Sequence, residues 1–359
     1  MKNLLIKLLL FFKPRPKKGC PKKSCLVPQK FLIVSTTGLG DTLWATPSIR
    51  ALRETYPHSD ISVLTSELGE QVLKNNPHID ELLVIGNPLF FSLACFFFIL
   101  KKKKFDAIFL FHSSQRLVFP LCALLGAPKI IGTLGLNKDL DCILTHPLEN
   151  KPQHEIERRL EMVRQVNALS KGQNLEFFTT QEDEKKIERF LESHQIKPST
   201  LLIGLHPGAQ NLFKQWHPSR FIQLGLKLKE KWPCKIFVTG SREEAALVAE
   251  IASNIPEAIP VAGELSLAAF ATLQKKMALF VTNDTGPMHM AFAMKTPTIA
   301  LFGPTDHELC GPNKATAALT IQKKKTCMPC LRKKCEEPFC LLQIGVNEVY
   351  ERACELLIT

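Results

Sequence analysis

Residues 31–57 read FLIVSTTGLGDTLWATPSIRALRETYP. The apolar run FLIVS is too short for a helix, and Thr-Thr-Gly-Leu-Gly interrupts it before amphipathic spacing sets in over 42–56. A buried strand feeding a helix fits that order. The alternation continues through strand-like ISVLT (61–65), LLVI (82–85), AIFLF (107–111) and KIIGT (129–133), with helical patterns at 66–75 and 154–169. A second series opens with LLIGLH (201–206) and runs through KIFVTG (235–240), ALFVT (278–282) and TPTIALF (296–302). Helices are predicted between these runs at 218–231, 242–253, 266–276 and 287–295. Short apolar runs separated by helices make parallel βαβ units, so the fold class is α/β and doubly wound.

Two such halves predict two Rossmann-like domains with parallel sheets facing a central cleft. The first domain spans 31–175 and the second 200–345. Between them lies a polar linker, 176–199, containing the helical QEDEKKIERFLESHQ; a final helix covers 346–359. Ligands of such sheets sit outside the carboxyl ends of the strands. A chain of 359 residues with 45% apolar side chains can bury two cores, and 22% charged residues exclude a disordered or multi-span protein.

The net charge of +12 is local. Residues 1–30 hold nine Lys/Arg and no acid, 101–104 is KKKK, and 321–335 holds six Lys/Arg and no acid. These windows carry nineteen basic residues, leaving 27 against 34 acidic ones elsewhere. The mildly acidic body argues against a nucleic-acid partner, since the basic windows adjoin Phe/Leu runs rather than interleaved stacking aromatics. LLIKLLLFF (4–12) and PLFFSLACFFFIL (88–100) are both shorter than a membrane span. Apolar residues beside lysines suit an anionic membrane surface, so 1–30 is read as a basic, apolar extension able to anchor there. The alternative is a buried helix at 88–100 and a frayed tail.

Eight of twelve cysteines are scattered, and no export signal is recognisable, which predicts reduced thiols in the cytoplasm. Cys327, Cys330, Cys335 and Cys340 are closely spaced and could hold a structural zinc; a merely local thiol cluster or a redox pair at CMPC would share the spacing. With a zinc, the competing reading of the whole chain is a basic zinc-knuckle nucleic-acid-binding protein.

Four loops at strand ends carry candidate chemistry. After the first strand come Gly38, Gly40 and Asp41. The glycines suit a sharp backbone turn near a ligand, and Asp41 is either a helix N-cap or a general base. Lys214, in the loop after LLIGLH, suits a diphosphate or is a solvated surface lysine. Glu244, after KIFVTG, could accept a ribose hydroxyl or cap a helix. Asp284, Thr285, Gly286 and His289 follow ALFVT, with Pro287 marking a helix start whose free amides form an anion site. A lone Asp-Thr-Gly in an α/β setting lacks the second carboxylate an aspartic protease needs.

Together, TTGLGDTLWATPSIRALRETYP (36–57), HPGAQNLFKQW (206–216), GSREEA (240–245) and NDTGPMHMAFAMKTPTIALFGPTD (283–306) resemble the ADP-heptose:lipopolysaccharide heptosyltransferases, glycosyltransferase family 9. The CMPC…C…C segment resembles a C-terminal feature of that family. The resemblance runs over residues 31–357 and implies a GT-B fold with the donor on the C-terminal domain. It implies inverting transfer of a heptose from ADP-heptose to a lipid A–Kdo inner-core acceptor, with no cofactor required for catalysis. Asp41 then matches the catalytic base, Lys214 the lysine at the donor phosphates, Asp284, Thr285, Gly286 and His289 the nucleotide-diphosphate loop, and Glu244 an acid near the nucleoside. The setting implied is cytoplasmic, peripheral on the inner membrane. A GT-B enzyme using another nucleotide sugar for envelope glycans is the alternative.

Overall fold

The computed structural model describes residues 29–86, 89–313, 317–324, 327, 330, 335 and 338–358, with the backbone alone for 89–92 and 94. Of the basic extension read at 1–30, residues 1–28 lie outside the described residues, and Lys30 already opens the first strand. The chain divides into two compact units between Gln173 and Asn174.

The first unit contains β1 (Lys30–Ser35), β2 (Asp60–Ser66), β3 (Glu81–Ile85), β4 (Ala107–His112), β5 (Lys129–Thr133) and β6 (His146–Leu148). All pairs are parallel, in the order β3-β2-β1-β4-β5-β6. The second unit contains β7 (Leu201–His206), β8 (Cys234–Gly240), β9 (Ile259–Ala262), β10 (Leu279–Asn283), β11 (Thr298–Phe302) and β12 (Ala318–Gln322). Its parallel order, β12-β11-β10-β7-β8-β9, is that of the first sheet read from the other edge. Each sheet therefore reverses winding at one place, between β1 and β4 and between β7 and β10. Those switch points are where a doubly wound sheet opens a crevice.

The expected α/β class with two Rossmann-like parallel sheets holds, and its physical basis is burial on both sheet faces. In β8, Ile236 and Val238 pack with Ile203, Leu205, Trp216 and Phe221, while Phe237 points oppositely, toward Leu202, Phe280 and Leu273. Helices Pro218–Lys231 and Val346–Ile358 cover the first of these faces; Leu267–Lys276 covers the second. The segment read as a linker is more than a connector. It carries helix Gln181–Ser193, capped by a Thr180/Asp183 box, and its fully buried Ile187 belongs to the second unit's core.

Three strands escaped the sequence reading: β6, β9 and β12, each at a sheet edge. β6 and β9 contain Pro147 and Pro260, and proline, lacking a donor, is tolerated at edges. The helix Val118–Leu125 also escaped, because VFPLCALL has no polar face to reveal a period.

The run 88–100 forms helix Leu89–Lys103. Leu93 and Leu100 are buried in the first core, whereas Phe98 (68% exposed) and Ile99 (46%) project outward. Two of the four lysines are committed to the fold. Lys101 Nζ caps the Leu124 and Leu125 carbonyls, and Lys103 bridges Glu81 at 2.7 Å and Asp60 at 3.3 Å. Among the described residues, no helix is long and apolar enough to cross a membrane.

Candidate active site

At the first switch point, β1 passes through residues 36–38 into helix Leu39–Thr55. The β1–β4 register slips between Val34 and Ser35, so that Val34 pairs with Leu110 and Ser35 with His112. Thr36 is then tied to the residues after β4. Its N–H donates to the His112 carbonyl (3.1 Å), its hydroxyl shares a hydrogen bond with Ser113 (2.9 Å), and its carbonyl accepts from the Ser114 hydroxyl (3.2 Å).

Asp41 lies in the first helical turn, but Gly38 occupies the N-cap position and no side chain caps the helix. The N-cap reading of Asp41 therefore fails. Asp41 still benefits from the positive end of the helix. Nor do the glycines supply the sharp turn expected of them. Gly38 has φ −73° and ψ 176°, extended backbone open to any residue, and Gly40 is inside the helix with no positive φ. A Cβ at Gly38 would stand 3.9 Å from Asp41 Oδ2, an ordinary contact.

The other Asp41 oxygen, Oδ1, lies 3.4 Å from Nη2 of Arg159, a side chain with no solvent exposure. Arg159 comes from helix Glu155–Arg164. Its Nη1 donates to the Glu155 carbonyl (2.8 Å) and carboxylate (2.7 Å), and its guanidinium stands 5.4 Å from the Trp44 ring centroid. Burial opposes ionisation of Glu155, but Arg159 and then Arg158 outweigh it, and the carboxyl sits below its ordinary range. Burial, partly offset by the charge of Asp41, lowers His112. The sequence reading missed Arg159, Trp44 and His112. Trp44 was legible in principle, three residues after Asp41 on one helix. Arg159, more than a hundred residues away, was not.

At the second switch point, the loop after β7 makes a single 3-10 turn, Leu212–Lys214. Trp216 anchors it: fully buried, it donates its indole N–H to the Ile344 carbonyl (3.0 Å) and packs edge-on to Phe221 (5.0 Å). Asn283, at the end of β10, clamps both ends of this loop. Its Oδ1 accepts from the Trp216 N–H (3.0 Å), and its Nδ2 donates to the carbonyls of Pro207 (2.8 Å) and Gly208 (3.4 Å). Nothing in the sequence around Asn283 marks it as a positioning residue; only a neighbour across the switch point explains it.

So held, Lys214 Nζ donates to Asp284 Oδ2 at 2.6 Å, and Asp284 is nearly buried. Thr285 is the N-cap of helix Gly286–Ala293 yet makes no capping bond, and its buried hydroxyl has no hydrogen-bond partner among the described residues. Pro287 occupies the first turn as expected. The first-turn amides of such a helix end need a partner from outside the helix. His289 is buried one turn in, edge-on to Phe292.

Glu244 caps its own turn, accepting the Ser241 N–H at 2.8 Å, and also turns toward the β7 loop. A Cβ at Gly208 would meet Glu244 Oε1 at 2.2 Å, so a larger residue there would push the Glu244 carboxylate aside. Glu243, next to it, is exposed. Burial drives His206 down to about 4, against attraction to Glu244 and a hydrogen bond with Thr239. The loops after β7 and β10 thus bring Lys214 to Asp284, and Glu244 after β8 approaches the Gly208 backbone that Asn283 also holds, while Asp41 belongs to the first unit.

The zinc expectation at Cys327, Cys330, Cys335 and Cys340 gains no ligand set. Among the described residues, no three or more His, Cys, Asp or Glu side chains are grouped to hold a metal. Burial pushes the Cys340 thiol up, and Cys330 and Cys335 add to that shift.

Comparison with known proteins bears on this arrangement. The chain is 26% identical to lipooligosaccharide heptosyltransferase 2 of Campylobacter jejuni over 338 residues, 91% of this chain and 98% of that protein. In fold it is similar to a glycosyl transferase family 9 structure from Veillonella parvula (TM-score 0.81, 22% identity, 94% and 99% of the two chains). It is also similar to the E. coli structure described as ADP-heptose lps heptosyltransferase II (TM-score 0.75, 19% identity, 92% and 99%). A model of glycosyltransferase family 9 (heptosyltransferase) matches residues 99–340, well over half of the chain. The protein belongs to glycosyltransferase family 9, the heptosyltransferases.

Proposed function

We propose that this enzyme transfers a heptose from ADP-heptose to the inner core of lipopolysaccharide with inversion, using Asp41 as general base. The acceptor hydroxyl attacks the anomeric carbon, its proton passes to Asp41, and the bond from that carbon to the ADP oxygen breaks. Positive charge develops on the sugar and negative charge on the departing diphosphate. Lys214 and the amides at the start of helix Gly286–Ala293 stabilise that diphosphate, and Thr285 offers a hydroxyl. Glu244 accepts a hydrogen bond from the nucleoside.

One observation carries this reading. Lys214 stands at the uncapped end of a helix whose Thr285 hydroxyl is buried without a hydrogen-bond partner among the described residues. Its present counter-ion, Asp284, is what a diphosphate would displace or share. The names of the relatives support the donor and the acceptor class. The test measures ADP release from ADP-heptose, with and without a deacylated lipopolysaccharide core, beside UDP- and GDP-sugars. Release only with ADP-heptose and acceptor supports the reading; turnover of a UDP- or GDP-sugar instead overturns the donor.

The same reading puts the enzyme on the cytoplasmic face of the inner membrane, where such an acceptor is found. Phe98 and Ile99, exposed on helix Leu89–Lys103 beside exposed Lys102, support that placement. Replacing both apolar residues by serine should weaken co-sedimentation with anionic vesicles while leaving turnover of a soluble acceptor unchanged. Undiminished co-sedimentation would remove this face as the contact.

A further inference from the structure

We infer that Arg159 is a positioning residue for Asp41: it fixes one carboxylate oxygen so that the other stays free to take the acceptor's proton. The inference rests on the assignment of Asp41 as the base.

A fully buried guanidinium is costly unless its charge and donors are engaged. Arg159 is engaged from three directions, with Nε alone lacking a hydrogen-bond partner among the described residues. Glu155, one turn earlier on the same helix, accepts Nη1 twice; the Trp44 ring lies beside the guanidinium; and Nη2 points at Asp41 Oδ1. Trp44 and Asp41 share helix Leu39–Thr55, so Arg159 couples that helix to Glu155–Arg164, against which it packs. The planar fork leaves little freedom: with Nη1 committed to Glu155, Nη2 is directed at the catalytic helix.

The asymmetry of Asp41 follows. Oδ1 faces the buried cation, while Oδ2 lies toward Gly38, which has no side chain of its own to cover it. The side chain retains 29% exposure. A general base needs one accessible lone pair in a fixed direction, and a carboxylate free to rotate would present it only part of the time. The 3.4 Å separation is long for a hydrogen bond, and catalytic contacts of ligand-free enzymes commonly tighten in the loaded complex.

The test is a double-mutant cycle in kcat, read as ADP release from saturating ADP-heptose and deacylated lipopolysaccharide core. Arg159→Met should lower kcat about 10- to 100-fold with little change in donor KM, the size expected from misaiming a reacting group. In an Asp41→Ala background the same change should alter kcat less than about twofold, because the group it aims is gone. Arg159→Lys, which keeps the charge but not the fork, should restore part of the loss. If Arg159→Met does not fold, Glu155→Gln replaces it in the cycle: it removes the charged partner that holds Nη1, lowers kcat in the wild-type background, and adds nothing once Asp41 is alanine. Equal losses in both backgrounds would mean that Arg159 acts independently of Asp41 and overturn the inference alone. Near-normal kcat in Asp41→Ala would overturn the base assignment itself.

Discussion

In the first sheet, the loop after the leading strand is three residues long and delivers a helix carrying Asp41 in its first turn. In the second sheet, the equivalent loop runs from Pro207 to His217 and carries Lys214. After the fourth strand the lengths reverse. The first unit spends residues 113–117 before its next helix, whereas the second passes through Asp284 and Thr285 directly into Gly286–Ala293. Strand order and switch point are the same in both units, so the chemistry is set by which loop is kept short. A short loop places a helix end at the crevice. In the first unit that end carries a carboxylate backed by a buried arginine; in the second it is left open beside a lysine. The first arrangement suits holding a base, the second binding an anion.

This contrast yields variants that should fail in different ways. The largest effect is expected from Asp41→Asn, which keeps the shape and removes the proton acceptor: kcat should fall at least about a hundredfold. A loss below tenfold in steady-state assays would separate Asp41 from proton transfer. Lys214→Ala comes next. Losing a charge-assisted contact worth about 1.5–3 kcal/mol should weaken ADP about 10- to 100-fold, with part of that penalty arising from the unpaired Asp284. Unchanged ADP binding would take Lys214 out of the phosphate site. Asn283→Ala should act more mildly, costing about 1–3 kcal/mol of stability through unsatisfied loop groups and weakening ADP only because Lys214 is less well held. Urea unfolding and ADP titration of this one variant separate those effects.

The smallest contrast is in pH dependence. His206 stays neutral in the folded second unit down to about 4, whereas an unfolded histidine takes a proton near 6.5. Between those values the unfolded chain binds more protons, so stability falls as pH drops across that window. His206→Gln should flatten that part of the urea-midpoint profile; an unaltered slope would assign it elsewhere. Glu155 in the first unit shares the direction but not the window. Its depressed value adds stability that is present above the ordinary glutamate range and is lost as pH falls through the folded value.

Much of this was legible in the sequence because it is local. FLIVS, LLIGLH and ALFVT are central strands buried on both faces, and their continuous apolar runs announce them. The edge strands β6, β9 and β12 were hidden because an edge tolerates proline and weak patterning. Lys214, Asp284 and Thr285 could be picked out as loop residues at strand ends. That Lys214 pairs with Asp284, seventy residues away, could not, because pairing depends on strand order across the switch point. Arg159 looked like one more charge on an amphipathic helix, and only the packing of that helix on Leu39–Thr55 shows it buried behind Asp41.

The division of labour between the units is tested most directly by calorimetric titration of ADP into Asp41→Asn and Lys214→Ala side by side. Asp41→Asn should bind ADP with the wild-type Kd, and Lys214→Ala at least about tenfold more weakly. The reverse pattern, or equal weakening in both, would contradict the assignment of the base to one unit and the leaving group to the other.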